Sequence, residues 1–319
     1  MAVFTEVRAD DAQALLSRLK LGNLHSLTGI KAGIENSNFF VDCDAGRFVL
    51  TVFERLTHAQ LPFYLGLMQH LARKGLPVPA PQSDADGETL FTLVGKPAAL
   101  VTRLKGSHQL APDVFHCEQL GHTLARLHLA VADFPLQQPN LRGLAWWQAT
   151  APAVLPHLDE PTAALLRDEL AFQQQLARAA AALPRGAIHA DLFRDNAMFE
   201  GLSGREQLCG VFDFYFAGVD SFLFDLAVCL NDWCIDLASG ALDEARAQAL
   251  VTAYERERPL SGAEHRLLPA LLRAAALRFW LSRLHDWHRP REASLLKPHD
   301  PTHFERVLRQ RRQNPFHGA

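Results

Sequence analysis

Two carboxylates and one amide stand at spacings that suit phosphoryl transfer. The segment Ile188-His189-Ala190-Asp191-Leu192-Phe193-Arg194-Asp195-Asn196 is followed, seventeen residues after Asn196, by Asp213 in Val211-Phe212-Asp213-Phe214. Moving a phosphoryl group from a nucleotide to an alcohol needs few protein groups: a carboxylate that takes the hydroxyl proton, and oxygen ligands that hold Mg²⁺ on the phosphates. Asp191 suits the first task. Asn196 and Asp213 suit the second, because an amide on the same tight loop and a carboxylate at the end of the next strand can converge on one metal-nucleotide complex. Taken singly, Asp191, Asp195 and Asn196 are residue types that cap turns; their joint spacing between apolar, strand-like runs is what points to chemistry.

Those runs, 187–199 and 208–212, interrupt a region that otherwise reads as helical. Leu120, Leu124, Leu127 and Val131 fall at helical spacing, and 163–183, 222–237, 242–256 and 263–288 read as further helices. The tail 306–312 reads as a solvated helix face. The first hundred residues differ in texture. Segments 24–30, 37–42 and 47–53 read as a three-stranded meander, Thr57 as the N-cap of a helix over 58–74, and 89–94 and 98–104 as two more strands turned by Gly95-Lys96-Pro97. The expected fold is therefore α+β with two lobes: a small antiparallel β-sheet lobe with one helix over 1–104, and a larger, mainly helical lobe over 105–319. A nucleotide is expected in the cleft near the linker 101–106, which carries Thr102.

The catalytic segment resembles the kinase superfamily pattern His-x-Asp-x-x-x-x-Asn followed by an Asp-Phe-Gly-type metal ligand. Here the third position of the later motif is Tyr215, and Asp225-Leu226-Ala227 follows twelve residues after Asp213, which looks like the aminoglycoside phosphotransferase-like branch and unlike protein kinases. That resemblance implies that Asp191 is the base, that Asn196 and Asp213 are metal ligands, and that His189 and Asp225 buttress the loop. The loop Thr28–Phe39 lacks Gly-x-Gly-x-x-Gly, yet it lies between two strands, where Lys31, Gly33, Ser37 and Asn38 could meet phosphates. Thr51 occupies the position of the lysine that contacts phosphates in most relatives, and the helix after it offers no acid as its partner.

The blocks Ala32-Gly33-Ile34-Glu35-Asn36-Ser37-Asn38-Phe39-Phe40, Phe48-Val49-Leu50-Thr51-Val52-Phe53-Glu54, Arg142-Gly143-Leu144-Ala145-Trp146-Trp147, Asp213-Phe214-Tyr215-Phe216-Ala217 and Asn231-Asp232-Trp233-Cys234 span nearly the whole chain. Together with the catalytic loop they resemble the homoserine kinases of the aminoglycoside phosphotransferase-like type. The resemblance implies phosphorylation of L-homoserine by ATP with Mg²⁺, the step that feeds threonine synthesis. A zwitterionic substrate calls for an acid near its ammonium and donors near its carboxylate. Arg194, Asp195, Asp232 and Trp233 are candidates, and Trp280, Arg283, His285 and Asp286 form a further polar-aromatic cluster. Competing readings are a kinase for a choline-like amino alcohol or an aminoglycoside, and a catalytically silent nucleotide-binding protein suggested by Thr51.

Composition bounds the rest. With 32 Lys+Arg against 35 Asp+Glu the 319-residue chain carries a formal charge of −3, so it lacks the basic field that drives nucleic-acid binding. No uncharged stretch approaches the ~18 residues of a membrane span, and the acidic amino-terminal segment lacks the pattern of a targeting peptide. Five scattered cysteines without metal-binding spacing fit a reducing, cytoplasmic location.

Overall fold

Alternating buried and half-buried side chains give the Ser37–Cys43 strand one apolar face, and it is one of five strands that associate in the first of two compact units, Met1–Lys105. They are β1 (Leu24–Gly29), β2 (Ser37–Cys43), β3 (Gly46–Val52), β4 (Phe91–Leu93) and β5 (Lys96–Thr102), all antiparallel in the order β1-β2-β3-β5-β4. The computed structural model describes residues 4–30, 36–202, 204–289 and 299–318. Phe39, Val41, Phe48, Leu50, Val52 and Leu100 form one core with Ala12, Leu15 and Leu16 of helix α1 (Ala9–Arg18). Helix α1 adds to the single helix expected in this unit. That expected helix, α2 (Leu61–Arg73), begins later than its sequence suggested: Thr57 hydrogen-bonds the Gln60 side chain, and 58–60 form a turn. The β4–β5 hairpin turns on Val94 and Gly95, both at positive φ as a two-residue type I′ turn requires, and not on Gly95-Lys96-Pro97.

The second unit, Gly106–Ala319, holds α3 (Val114–Ala130), α4 (Leu144–Val154), α5 (Glu160–Ala181), α6 (Phe222–Trp233), α7 (Glu244–Glu257), α8 (Gly262–His288) and α9 (Thr302–Gln313). Five of these begin on an Asp or Ser whose side chain accepts a backbone N–H from the first turn: Asp113, Asp159, Ser221, Asp243 and Ser261. Each cap satisfies a donor the helix cannot satisfy itself, which is why these helices start there. Two short antiparallel pairs lie among them. Strand β6 (Arg185–Ile188) pairs with β9 (Gly218–Ser221), and β7 (Ala197–Glu200) pairs with β8 (Gln207–Val211).

The expected solvated face on 306–312 is corrected by α9, which buries Phe304, Val307, Leu308 and Arg311. The Arg311 guanidinium donates to Asn231 Oδ1 at 2.9 Å and to the Gly240 carbonyl at 3.4 Å, which anchors it inside the fold.

Helices α3 and α7 meet backbone to backbone at Gly121, where a Cβ would lie 2.1 Å from the Leu250 carbonyl oxygen and 3.1 Å from the Tyr254 nitrogen. No side-chain movement relieves a clash with main chain. Gly121→Ala should therefore lower stability by about 2 kcal/mol, read as a fall in Tm, and an unchanged Tm would show that the two helices separate freely.

Candidate active site

The loop 189–196 connects β6 to β7, and helix α6 holds it from below. Asp225, Cys229, Asp232 and Trp233 recur at i, i+4, i+7 and i+8, so one face of α6 meets the loop. Asp225 accepts the His189 N–H at 2.9 Å, the Ala190 N–H at 2.7 Å and a ring N–H of His128 at 3.1 Å. Trp233 Nε1 donates to the Leu192 carbonyl at 3.0 Å, and Asp232 Oδ2 accepts the Arg194 backbone N–H at 2.8 Å and its Nε at 3.0 Å. Arg194 also donates to the Leu110 carbonyl at 3.1 Å and to the Asp232 carbonyl. Arg194 and Asp232 are thus engaged with each other and Trp233 with the loop backbone, while Asp195 is exposed.

Ala190 is held at φ +63°, a region that a residue with a Cβ rarely adopts. Asp225 secures it there by taking its N–H, and the next residue, Asp191, emerges from the turn. His189 fixes the other side: its Nε2 donates to the Phe212 carbonyl at 2.9 Å and its Nδ1 accepts the Asp191 N–H at 3.2 Å. Burial pulls the His189 pKa down, so the neutral ring keeps this one tautomer.

The β7–β8 register brings Asn196 and Asp213 to neighbouring strand ends. Ala197 pairs with Val211, and the Phe212 N–H donates to the Asn196 carbonyl at 3.1 Å. Asn196 Nδ2 donates to the Asp191 carbonyl at 2.8 Å, which turns its amide oxygen away from that carbonyl. Asp213 stands at φ +66°, ψ +57°, a second non-glycine residue in the left-handed region. Two such residues in one site are a local strain that the surrounding bonds must hold.

Burial drives the Asp191 pKa up to about 8; Arg278 opposes the rise, and Asp213, Asp195 and Asp232 add to it. Arg278 Nη1 lies 3.9 Å from Asp191 Oδ1. Among the described residues, no three His, Cys, Asp or Glu side chains gather to hold a metal by themselves. The donor set of one carboxylate and one amide oxygen nonetheless fits Mg²⁺, a hard cation that takes few protein oxygens and completes its shell with phosphate and water.

In the first unit, Thr51 Oγ1 donates to Asn38 Oδ1 at 2.8 Å. The Ser37 hydroxyl is fully buried; it accepts the Phe4 and Thr5 N–H groups at 2.8 and 2.9 Å and donates to Glu54 at 2.6 Å. Thr102 Oγ1 accepts the Ala80 N–H at 2.8 Å. Lys31 and Gly33 lie outside the described residues. The sequence reading missed a lysine–glutamate pair at the end of β3, Lys96 with Glu54. Partial burial pushes the Glu54 carboxyl up, and hydrogen bonds from Lys96, Ser37 and Thr5 more than offset it.

The reading also passed over His128 and Arg278. His128 joins Asp225 to Tyr254, whose hydroxyl lies 2.7 Å from Nδ1, and it lines a cavity of about 650 Å³ with Phe134, Arg185, Val219, Phe222 and Arg258. The signal for Arg278 was present as one charge in the apolar run Ala274-Ala275-Ala276-Leu277-Arg278-Phe279-Trp280-Leu281. Trp280 itself is core, fully buried.

Comparison with known proteins gives a consistent picture. Residues 26–260 match the model of the phosphotransferase enzyme family. The homoserine kinase of Polaromonas naphthalenivorans (strain CJ2) is 59% identical over 318 residues, covering 99% of each chain. That of Cupriavidus pinatubonensis (strain JMP 134 / LMG 1197) is 57% identical over 317 residues, with 98% of this chain and 96% of the relative covered. Among solved structures, amicoumacin kinase hAmiN in complex with AMP-PNP, Ca²⁺ and Ami superposes with a TM-score of 0.67 at 15% identity, covering 95% of this chain and 92% of that one. Choline kinase from Cryptosporidium parvum Iowa II gives a TM-score of 0.65 at 13% identity, with 96% of both chains covered. The fold is that of these kinases, α+β with a five-stranded antiparallel sheet and a helical bulk. Among the described residues, no helix is long and apolar enough to cross a membrane.

Proposed function

Since the chain belongs to the phosphotransferase enzyme family, we propose that it transfers the γ-phosphoryl group of ATP to the side-chain hydroxyl of L-homoserine, giving O-phospho-L-homoserine and ADP. The observation that carries the substrate is the 59% identity, over 99% of both chains, to a homoserine kinase. The chemistry is supported by the loop that presents Asp191 beside Asn196, with Asp213 following from β8.

Asp191 orients the homoserine hydroxyl and takes its proton. The hydroxyl oxygen then bonds to the γ-phosphorus, and the bond from that phosphorus to the β,γ-bridging oxygen breaks with its electron pair leaving on ADP. A base whose pKa lies near 8 is matched to accepting a proton close to neutrality. The Asn196 amide oxygen and the Asp213 carboxylate would hold Mg²⁺, which neutralises phosphate charge when bound. His189 and Asp225 keep the loop in its strained form, and the Arg194–Asp232 pair and Trp233 brace it from α6. On the nucleotide side the candidates are Lys31, Gly33, Asn38 and Thr51, with Ser37 and Thr102 holding the strands that flank them. All five cysteines are free thiols, which suits a cytoplasmic enzyme.

ATP consumption measured with homoserine, choline, serine and an aminoglycoside tests the reading. Homoserine should be preferred, and a preference for another member of the panel overturns it. Asp213→Ala should weaken Mg²⁺-nucleotide binding by at least about tenfold in calorimetric titration; unchanged affinity would remove Asp213 from the metal site.

A further inference from the structure

Among the described residues of the second unit, one buried arginine forms no side-chain hydrogen bond. Arg278, in α8, is 3% exposed, and its Nε and Nη2 have no hydrogen-bond partner among the described residues. A buried guanidinium ordinarily recovers its lost hydration from carboxylate or carbonyl oxygens. The other buried arginines of this unit do so more fully: Arg194 bonds Asp232 and two carbonyls, and Arg311 bonds Asn231 and the Gly240 carbonyl, with Nη2 its one nitrogen left without a partner among the described residues. The acid facing Arg278, Asp191, stays 3.9 Å from Nη1, beyond hydrogen-bond reach.

Aromatic rings hold the guanidinium in place. Its central carbon lies 3.8 Å from the Phe279 ring centroid and 5.0 Å from that of Phe216. Arg142 approaches the same Phe216 ring at 5.9 Å, so a second positive charge stands nearby. Burial pulls the Arg278 pKa down to about 10, which still leaves it charged at neutral pH. A planar fork of N–H donors, fixed by ring faces and lacking acceptors, matches a carboxylate.

We infer that Arg278 binds the α-carboxylate of the amino-acid substrate while Asp191 holds its hydroxyl. This assignment rests on the homoserine reading and names the group that selects an amino acid over a simple amino alcohol. The reach agrees: in homoserine four bonds of about 1.5 Å separate the hydroxyl oxygen from the carboxylate carbon, so the two ends lie at most about 5 Å apart. Asp191 Oδ1 and Arg278 Nη1 stand 3.9 Å apart, a separation that one such molecule can bridge.

The test compares L-homoserine with 3-aminopropan-1-ol, which keeps the hydroxyl and the amine and lacks the carboxylate. In the wild-type protein kcat/KM for homoserine should exceed that for 3-aminopropan-1-ol by at least about 100-fold, because the analogue leaves a buried donor unpaired. In Arg278→Met that ratio should collapse to near unity, mainly through a higher KM for homoserine. A ratio unchanged in Arg278→Met, with both substrates losing turnover in parallel, would make Arg278 only a support for Asp191 and overturn the inference. Should the variant fail to fold, the wild-type comparison still decides, since equal kcat/KM for the two substrates overturns it. Failure of the homoserine reading is distinct: wild-type protein would then consume ATP with another alcohol and leave homoserine untouched.

Discussion

Asp191→Asn will bind nucleotide with near-wild-type affinity and turn over homoserine about 10³-fold more slowly. The amide preserves the shape of the carboxyl group and the Asp191 main-chain bonds to His189 and Asn196, so the loop keeps its form. What it removes is the acceptor for the hydroxyl proton. Calorimetry for the nucleotide and a coupled ADP assay for turnover separate the two, and a variant within tenfold of wild-type kcat would exclude Asp191 as the base. The same substitution should stabilise the fold. Burial raises the carboxyl from 3.8 to about 8, and that value already includes the attraction of Arg278. A carboxyl raised in this way opposes folding as it ionises. The penalty is absent below pH 3.8, grows as pH climbs, and is complete above about pH 8. Asn escapes it, so Asp191→Asn should match the wild type at pH 4 and exceed its stability by about 1 to 2 kcal/mol at pH 8. Denaturant melts at the two pH values check the sign.

Asp225→Ala is expected to damage both stability and turnover. Asp225 accepts three N–H groups in the interior, two of them from the loop backbone. Burial pushes its carboxyl up, yet the hydrogen bonds it accepts from the His128 ring and the His189 backbone help bring it below the ordinary carboxylate range, so it is ionised at neutral pH. Truncation orphans all three donors and frees Ala190 from its positive φ. A loss of about 3 to 5 kcal/mol follows, with a fall in kcat of about 100-fold as Asp191 shifts. Asp225→Asn keeps one acceptor oxygen and should fall between. Wild-type kcat in folded Asp225→Ala would show that the loop holds its shape unaided.

The catalytic loop was legible in the sequence because its chemistry is local. Asp191, Asn196 and Asp213 lie within one strand-turn-strand stretch, so their spacing carries their juxtaposition. The strands of the first unit were legible from alternation and turn residues. Helix α1 could have been read from Ala12, Leu15, Leu16 and Leu19, which recur at helical spacing and are all buried. In α4, Pro152 and apolar residues on nearly every side, which leave no polar face to mark a period, hide the helix. Arg194, Asp232 and Trp233 were legible as neighbours of the loop, but sequence does not tell a side chain facing a ligand from one facing its own scaffold. Arg278 lies 87 residues from Asp191 along the chain, and only tertiary packing brings them together. That its Nε and Nη2 meet no acceptor among the described residues is a property of the folded interior that no spacing encodes.

The docking of α9 bears on the order in which the chain can become active during synthesis. Phe304 stacks on Phe279 of α8 and on Phe193 of the catalytic loop, at centroid distances of 5.1 and 5.9 Å. The loop therefore rests on residues made more than a hundred positions after it. While ribosomes add about 5 to 20 residues per second, the first unit has all its strands long before α9 emerges, whereas the second must wait with Phe193 uncovered. A nascent chain stalled before residue 304 should fold its sheet and remain inactive, so that phosphoryl transfer is withheld until translation has passed α9.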